Sequence, residues 1–142
     1  MVADNTFVQE YSIKGWDFAR AGEASCEIKN ILKQIGVSQD VIRRVAIASY
    51  EAEMNVVMYA RQATMRCEID TTKIKITIDD QGPGITDIDL AMQEGFSTAT
   101  PEMREMGFGA GMGLPNIKRN SDICEITSVV GKGTKVTMSF NL

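Results

Sequence analysis

The chain has 142 residues, 44% of them hydrophobic and 24% charged, with a net charge of −4. This is the size and balance of one globular domain rather than of a disordered or fibrous polymer, and no apolar run approaches the roughly 20 residues that span a bilayer. The acidic balance argues against a nucleic-acid binder, which would carry a basic face.

Histidine is absent. That removes Ser-His-Asp and Cys-His nucleophile systems, the common zinc sites and self-phosphorylation on histidine. General-base work then falls to a carboxylate, lysine, tyrosine or thiol. Cys26, Cys67 and Cys124 are widely spaced, odd in number and form no CxxC pair. They predict reduced thiols in a cytoplasmic compartment, each serving as a small core residue. Residues 1–10 lack a basic segment followed by an apolar stretch, so no secretory signal is expected.

Residues 6–13 alternate as a strand, with Phe7, Tyr11 and Ile13 on one side. Helical spacing takes over at 16–35, placing Phe18, Ala21, Ser25, Ile28, Leu32 and Ile35 on one stripe. Gly36 reads as the stop and Ser38 as the N-cap of the next helix. That second helix is predicted over 39–61, with Val41, Val45, Ala48, Ala52, Asn55 or Val56, and Tyr59 buried. Residues 63–69 and 73–80 read as strands across the turn Asp70-Thr71-Thr72. The second is the clearest in the chain, because Ile74, Ile76 and Ile78 alternate with Lys73, Lys75 and Thr77.

A short helix is expected at 87–93, followed by a segment at 95–113 rich in Gly, Met, Ser and Thr. Such a loop is long for a compact domain and is therefore marked for function. A brief helix at 114–121 leads to strands at 123–130 and 134–141, joined by Gly131-Lys132-Gly133. The order strand, helix, helix, then mostly strands predicts one α/β domain over 1–142. Its helices lie on one face of a mixed, mostly antiparallel sheet.

Four places carry chemistry. Asp80 shares its strand face with Ile74, Ile76 and Ile78, so its carboxylate points toward the core side. It either caps the turn it begins or accepts a hydrogen bond from a ligand amine, and Gly82-Pro83-Gly84 lets the backbone approach a flat ligand. Glu51 and Asn55 are four apart on the second helix and share a face. They read either as a solvated edge pair or as an amide oxygen and a carboxylate suited to Mg²⁺ with its waters. The run Gly107-Phe108-Gly109-Ala110-Gly111-Met112-Gly113-Leu114 precedes a helix and offers free amides to phosphate. It matches neither the P-loop nor the dinucleotide-binding turn. Thr134, after Gly131-Lys132-Gly133, shares a face with Val136, Met138 and Phe140, where it could neighbour Asp80.

Together, Glu51-x-x-x-Asn55, Asp80-x-Gly82-x-Gly84-Ile85, Gly111-Met112-Gly113-Leu114 and Gly133-Thr134 resemble the boxes of the GHKL (Bergerat-fold) ATPases in order and spacing. Within that superfamily the chain looks like the small serine kinases that act as bacterial anti-sigma factors or stressosome switch kinases. Asp80-Gln81-Gly82-Pro83-Gly84-Ile85, Gly95-Phe96-Ser97-Thr98 and Gly113-Leu114-Pro115-Asn116-Ile117-Lys118-Arg119 are closest to the switch-kinase branch. Tyr59 stands where the family often has histidine, and Thr100 to Met106 lengthen the segment before the glycines.

The resemblance implies a two-layer α/β sandwich with an ATP lid at 95–113. It implies ATP or ADP held by Asn55, Asp80, Gly82, Gly84, Ile85, Gly109, Gly111, Met112, Gly113, Leu114 and Thr134. Asp80 would bond the adenine amino group, Thr134 would assist directly or through water, Asn55 would ligate Mg²⁺ and Glu51 would be the general base. The implied activity is phosphoryl transfer to a serine or threonine of a partner, with an anti-sigma-antagonist (STAS) protein and a sigma factor as expected partners. Dimerisation, known in the anti-sigma branch, is neither supported nor excluded by the sequence. Two other readings stay open: a nucleotide-dependent binding module with little kinase activity, and a histidine-kinase-like ATPase acting in trans.

Overall fold

The computed structural model describes residues 6–93 and 113–142. Five strands form one sheet in the order β1-β2-β3-β5-β4. They are β1 (Phe7–Lys14), β2 (Gln62–Ile69), β3 (Lys73–Gln81), β4 (Ile123–Val129) and β5 (Gly133–Asn141). The helices are α1 (Glu23–Gln34), α2 (Gln39–Tyr59), the single turn α3 (Ile88–Ala91) and α4 (Gly113–Asn120). All four pairings are antiparallel, so the sheet expected to be mixed has no parallel pair among the described residues. β3 and β4 do run in the same direction, but β5 lies between them and pairs with both.

One face of the sheet carries the core. Ala63, Met65, Cys67 and Ile69 of β2, Ile74, Ile76 and Ile78 of β3, and Val136, Met138 and Phe140 of β5 are all buried. Their period-two spacing leaves Lys73, Lys75, Lys135 and their neighbours on the opposite, open face. Full burial of side chains such as Phe140 and Ile76 stabilises by about 1.5–3 kcal/mol each.

α2 is the centre of the helical layer. It contacts α1, α4 and four of the strands, and is buried over most of its circumference rather than along one stripe. Val56 is fully buried, while Asn55 and Tyr59 are only partly so. Ser38 caps its start, the hydroxyl accepting from Val41 N–H at 3.4 Å. Gly36 takes a left-handed φ of 80° after α1, as expected of a helix stop.

α1 starts seven residues later than its apolar stripe suggested. Residues 17–23 form successive turns, with Arg20, Ala21 and Glu23 N–H bonded to the carbonyls of Asp17, Phe18 and Arg20. Just before them, Gly15 and Trp16 donate to the carbonyls of Arg61 and Val57. That use of their N–H groups satisfies the C-terminal end of α2 and draws Trp16 to a φ of 61°. Ile35, assigned to the buried stripe, is 57% exposed past the helix end. Of the cysteines, Cys67 is core and its thiol is pushed up to about 12 by burial, whereas Cys26 is exposed on α1.

The start of α1 has no side-chain cap of its own, since Gly22 occupies that position. Glu53, buried within α2, supplies it. One carboxylate oxygen accepts from Gly22 and Ala24 N–H at 3.0 and 3.3 Å, and the other from Ser25 N–H at 3.0 Å. Glu53→Ala would leave these amides without an acceptor, and should lower the unfolding free energy by about 3–5 kcal/mol. Glu53→Gln keeps one oxygen and should lose less. Urea denaturation measures both, and a loss below about 1 kcal/mol in the alanine variant would mean the helix start has other acceptors.

Candidate functional site

Asp80 ends the buried alternation of β3. The β3–β5 pairing runs from Lys73–Asn141 to Asp79–Lys135, so the next step brings Asp80 beside Thr134. Asp80 Oδ1 accepts the Thr134 N–H at 2.9 Å, and Oδ2 has no protein partner among the described residues. Gly133 makes the approach feasible, because a Cβ there would run into the Asp80 carbonyl oxygen. Burial pushes the Asp80 carboxyl above its ordinary value, the Thr134 N–H pulls it down, and the neighbouring Asp79 charge adds to the rise.

The turn after β3 is laced to the β4–β5 turn. Gly82 N–H donates to Lys132 O at 3.1 Å and Gly131 N–H to Pro83 O at 2.8 Å. Gly84 has φ 77°, and a Cβ there would lie 2.6 Å from Val129 O. Only glycine fits both demands. Ile85 N–H donates to Ser128 Oγ at 2.7 Å. Ser128 Oγ also lies 3.1 Å from Gly133 O and 2.9 Å from Thr134 Oγ1.

A second group sits on α2. Gly113, the first residue of α4, packs so closely on it that a Cβ would lie 3.1 Å from Asn55 Oδ1 and 3.6 Å from Glu51 Oε2. Asn116, one turn along α4, extends its Nδ2 to Glu51 Oε1 at 3.4 Å. Glu51 and Asn55 thus face the N-terminal turn of a helix, whose free amides and dipole favour an anion. The two groups lie at the same end of α2. Ala60 lies against Gly82, and five residues of helical rise separate it from Asn55, about 7.5 Å.

Of the residues singled out from the sequence, Asp80, Gly82, Gly84, Ile85 and Thr134 therefore come together in one group, and Glu51, Asn55 and Gly113 in the other. Leu114 is partly buried against the core. Gly109, Gly111 and Met112, and with them nearly all of the expected lid, lie outside the described residues. Sequence reasoning passed over Ser128, Asn116 and Glu53. Ser128 shares the inward face of β4 with Cys124 and Ile126, and a polar residue on that face was the available signal.

The model of the histidine kinase-like ATPase domain matches residues 17–140. The chain belongs to that family. Serine/threonine-protein kinase RsbT of Bacillus subtilis is 34% identical over 125 residues, covering 85% of this chain and 86% of RsbT. The anti-sigma F factor of Caldanaerobacter subterraneus is 34% identical over 111 residues, 75% of this chain and 74% of that protein. The anti-sigma F factor of Oceanobacillus iheyensis is 30% identical over 131 residues, 88% and 83% of the two chains. In fold, the chain resembles the Acinetobacter baumannii histidine kinase AdeS with a TM-score of 0.50 at 15% identity, covering 96% of this chain and 70% of that one. Membership in the histidine kinase-like ATPase family implies nucleotide use.

The raised carboxyl of Asp80 has a consequence for stability. A group whose folded pKa is raised contributes stability that is complete below its unfolded pKa and lost as pH rises through the folded one. The charged form of Asp80 is therefore less favoured in the folded protein than in the unfolded chain. Asp80→Asn keeps an oxygen for the Thr134 N–H and should melt no lower than the parent at neutral pH. Its advantage should shrink as pH falls into the carboxylate range. Thermal melts across that range check this, and a variant that melts lower at neutral pH than in acid, relative to the parent, would contradict it.

Proposed function

We propose that the chain is a cytoplasmic ATP-dependent serine/threonine protein kinase of the anti-sigma or switch type, which phosphorylates a partner of the STAS class. The observation that carries the reading is the pairing of Glu51 and Asn55, one turn apart on α2, against Gly113 at the start of α4. A carboxylate base and an amide oxygen there face a helix N-terminus suited to phosphate. Asp80, with one free oxygen, stands at the far end of the same site to accept from the adenine amino group. The kinase and anti-sigma relatives support the choice of a protein hydroxyl as acceptor and of STAS and sigma proteins as partners.

The residues fit Mg²⁺. Among the described residues no group of three His, Cys, Asp or Glu could cage a metal. Mg²⁺ keeps most of its waters and binds through one or two protein oxygens plus substrate phosphates, which matches Asn55 Oδ1. When bound it would neutralise phosphate charge.

In the proposed mechanism Glu51 accepts the proton of the partner's hydroxyl as that oxygen bonds to the γ-phosphorus. The bond from the γ-phosphorus to the bridging oxygen breaks, and ADP leaves with that oxygen. Amides of the first turn of α4 hold phosphate oxygens, and Asn116 keeps the Glu51 carboxylate oriented. Positioning and electrostatics do most of such a transfer.

A correctly placed base contributes about 10²–10⁴-fold. Glu51→Ala should therefore reduce phosphate transfer by that factor, while calorimetric ATP affinity stays within about threefold of the parent. Asn55→Ala should lose the Mg²⁺ enhancement of binding, and Asp80→Asn should lose binding itself. The test is an ATP titration with and without Mg²⁺, followed by transfer of γ-phosphate label to a STAS protein. Full transfer by Glu51→Ala would remove that residue from the role of base. ATP binding without transfer to any hydroxyl would leave a nucleotide-dependent binding module.

A further inference from the structure

We propose that Arg44 is a positioning residue for phosphate binding. From α2 it holds the C-terminal end of α4, and so keeps the first turn of α4 in place against Glu51 and Asn55. The inference rests on the nucleotide reading above. It assigns a role to a side chain that touches no ligand and stands about 10 Å along α4 from the amides it serves.

α4 has only eight residues, Gly113–Asn120, and an isolated helix of that length does not persist in water. Pro115 and Ile117 are buried and join it to the core. Apolar contact is non-directional, however, and does not by itself fix a position along α2. Polar contacts at the two ends do. At the front, Asn116 reaches Glu51 at 3.4 Å. At the back, Arg44 Nη1 donates to the carbonyl oxygen of Asn120, the last residue of the helix, at 3.4 Å. The same nitrogen lies 3.5 Å from Asp122 Oδ2, and Arg44 Nε lies 3.3 Å from Asp40 Oδ2, one turn back on α2.

The Arg44 side chain is only 22% exposed, so these contacts are screened less than those of a free surface pair. A cation on the final carbonyl also meets the negative end of the helix dipole. Asp122 is anchored in turn, accepting the Asn141 N–H at 2.7 Å and donating its own N–H to Ser139 O at 2.8 Å. One guanidinium therefore ties α4 to α2 directly and to β5 through Asp122.

Phosphate oxygens meet the opposite end of this helix. The amides there bind fully only while the first turn is formed and seated, and apparent affinity falls with the fraction of molecules in that state. The base of the nucleotide is met by Asp80 and Thr134, which the buried Ile78 and Val136 hold from the sheet rather than from α4. Loss of the Arg44 contacts should thus weaken binding through the phosphates and spare binding through the base. A merely structural role would lower the melting temperature and leave the ratio of the two affinities unchanged.

The experiment compares calorimetric affinities for ATP and for adenosine. Arg44→Met keeps the apolar stem and removes the charge. It should lower the preference for ATP over adenosine by about tenfold, the worth of one charge-assisted hydrogen bond, with adenosine affinity within about twofold of the parent. Arg44→Lys should recover part of that preference. Asp122→Asn, which keeps an oxygen for the Asn141 N–H, should lower it by about threefold alone and add nothing to Arg44→Met. An unchanged ATP-to-adenosine ratio in both Arg44→Met and Asp122→Asn overturns the inference, and so does an equal loss of both ligands. A parent that binds adenosine as tightly as ATP also overturns it, leaves the nucleotide reading standing and needs no variant to fold. A parent that binds neither overturns the nucleotide reading itself.

Discussion

The Glu53 carboxylate lies at 2% exposure in the middle of α2, and its two oxygens take three backbone N–H groups from the start of α1. An isolated carboxylate at that depth would be severely destabilising. Here it meets the positive end of a helix dipole and amides that have no partner within their own helix. The bond fixes where α1 begins and which way it runs along α2. It also leaves the adjoining positions of α2, Glu51 and Asn55, directed to the opposite flank, toward α4. One helix thus separates the carboxylate that caps α1 from the one proposed as the base, two residues and roughly 200° apart around its axis.

The strands impose a second constraint. Antiparallel register places Thr134 beside Asp80, and a one-residue slip in β5 would turn Thr134 to the open face with Val136, Met138 and Phe140. The buried side chains of β3 and β5 hold that register, so the geometry of the polar group is secured by the hydrophobic core beneath it. Glycine then permits the contact at two points where any side chain would collide with a carbonyl oxygen, Gly84 and Gly133. These are the positions at which the turn after β3 and the β4–β5 turn close on each other.

Much of this was legible in the sequence because it follows from short-range periodicity. The alternation of Ile74, Ile76 and Ile78 with lysines and threonine located β3 within a residue, and the same count placed Asp80 and Thr134 on the core side. Ser38 and Gly36 marked a helix boundary for local reasons that act within a few residues. What was not legible depends on contacts between distant segments. The start of α1 is set by Gly15 and Trp16 bonding to carbonyls near residue 60 and by Glu53 some 30 residues away. A helical stripe cannot reveal that the backbone donors at its front are taken elsewhere. The strand direction of β4 was obscured for the same reason, since its partner β5 enters between it and β3 only after the chain has turned back. Ser128 and Asn116 were missed because each gains its meaning from an atom across the site.

α4 shows how the two halves of the site are joined mechanically. Its first residue touches Asn55 and Glu51, while at its other end Arg44 of α2 reaches Asn120 O at 3.4 Å and Asp122 at 3.5 Å. Asp122 in turn accepts the Asn141 N–H of β5 at 2.7 Å. The helix is therefore held against α2 at both ends, running antiparallel to it, and its far end is tied to the strand that carries Thr134. A ligand whose phosphates engage the first turn of α4 acts on an element already braced against Glu51. The amides at that turn are presented in a fixed relation to the carboxylate. Such preorganisation matters more to phosphoryl transfer than the strength of any single contact, because the barrier falls only where charge is met by groups that need not move.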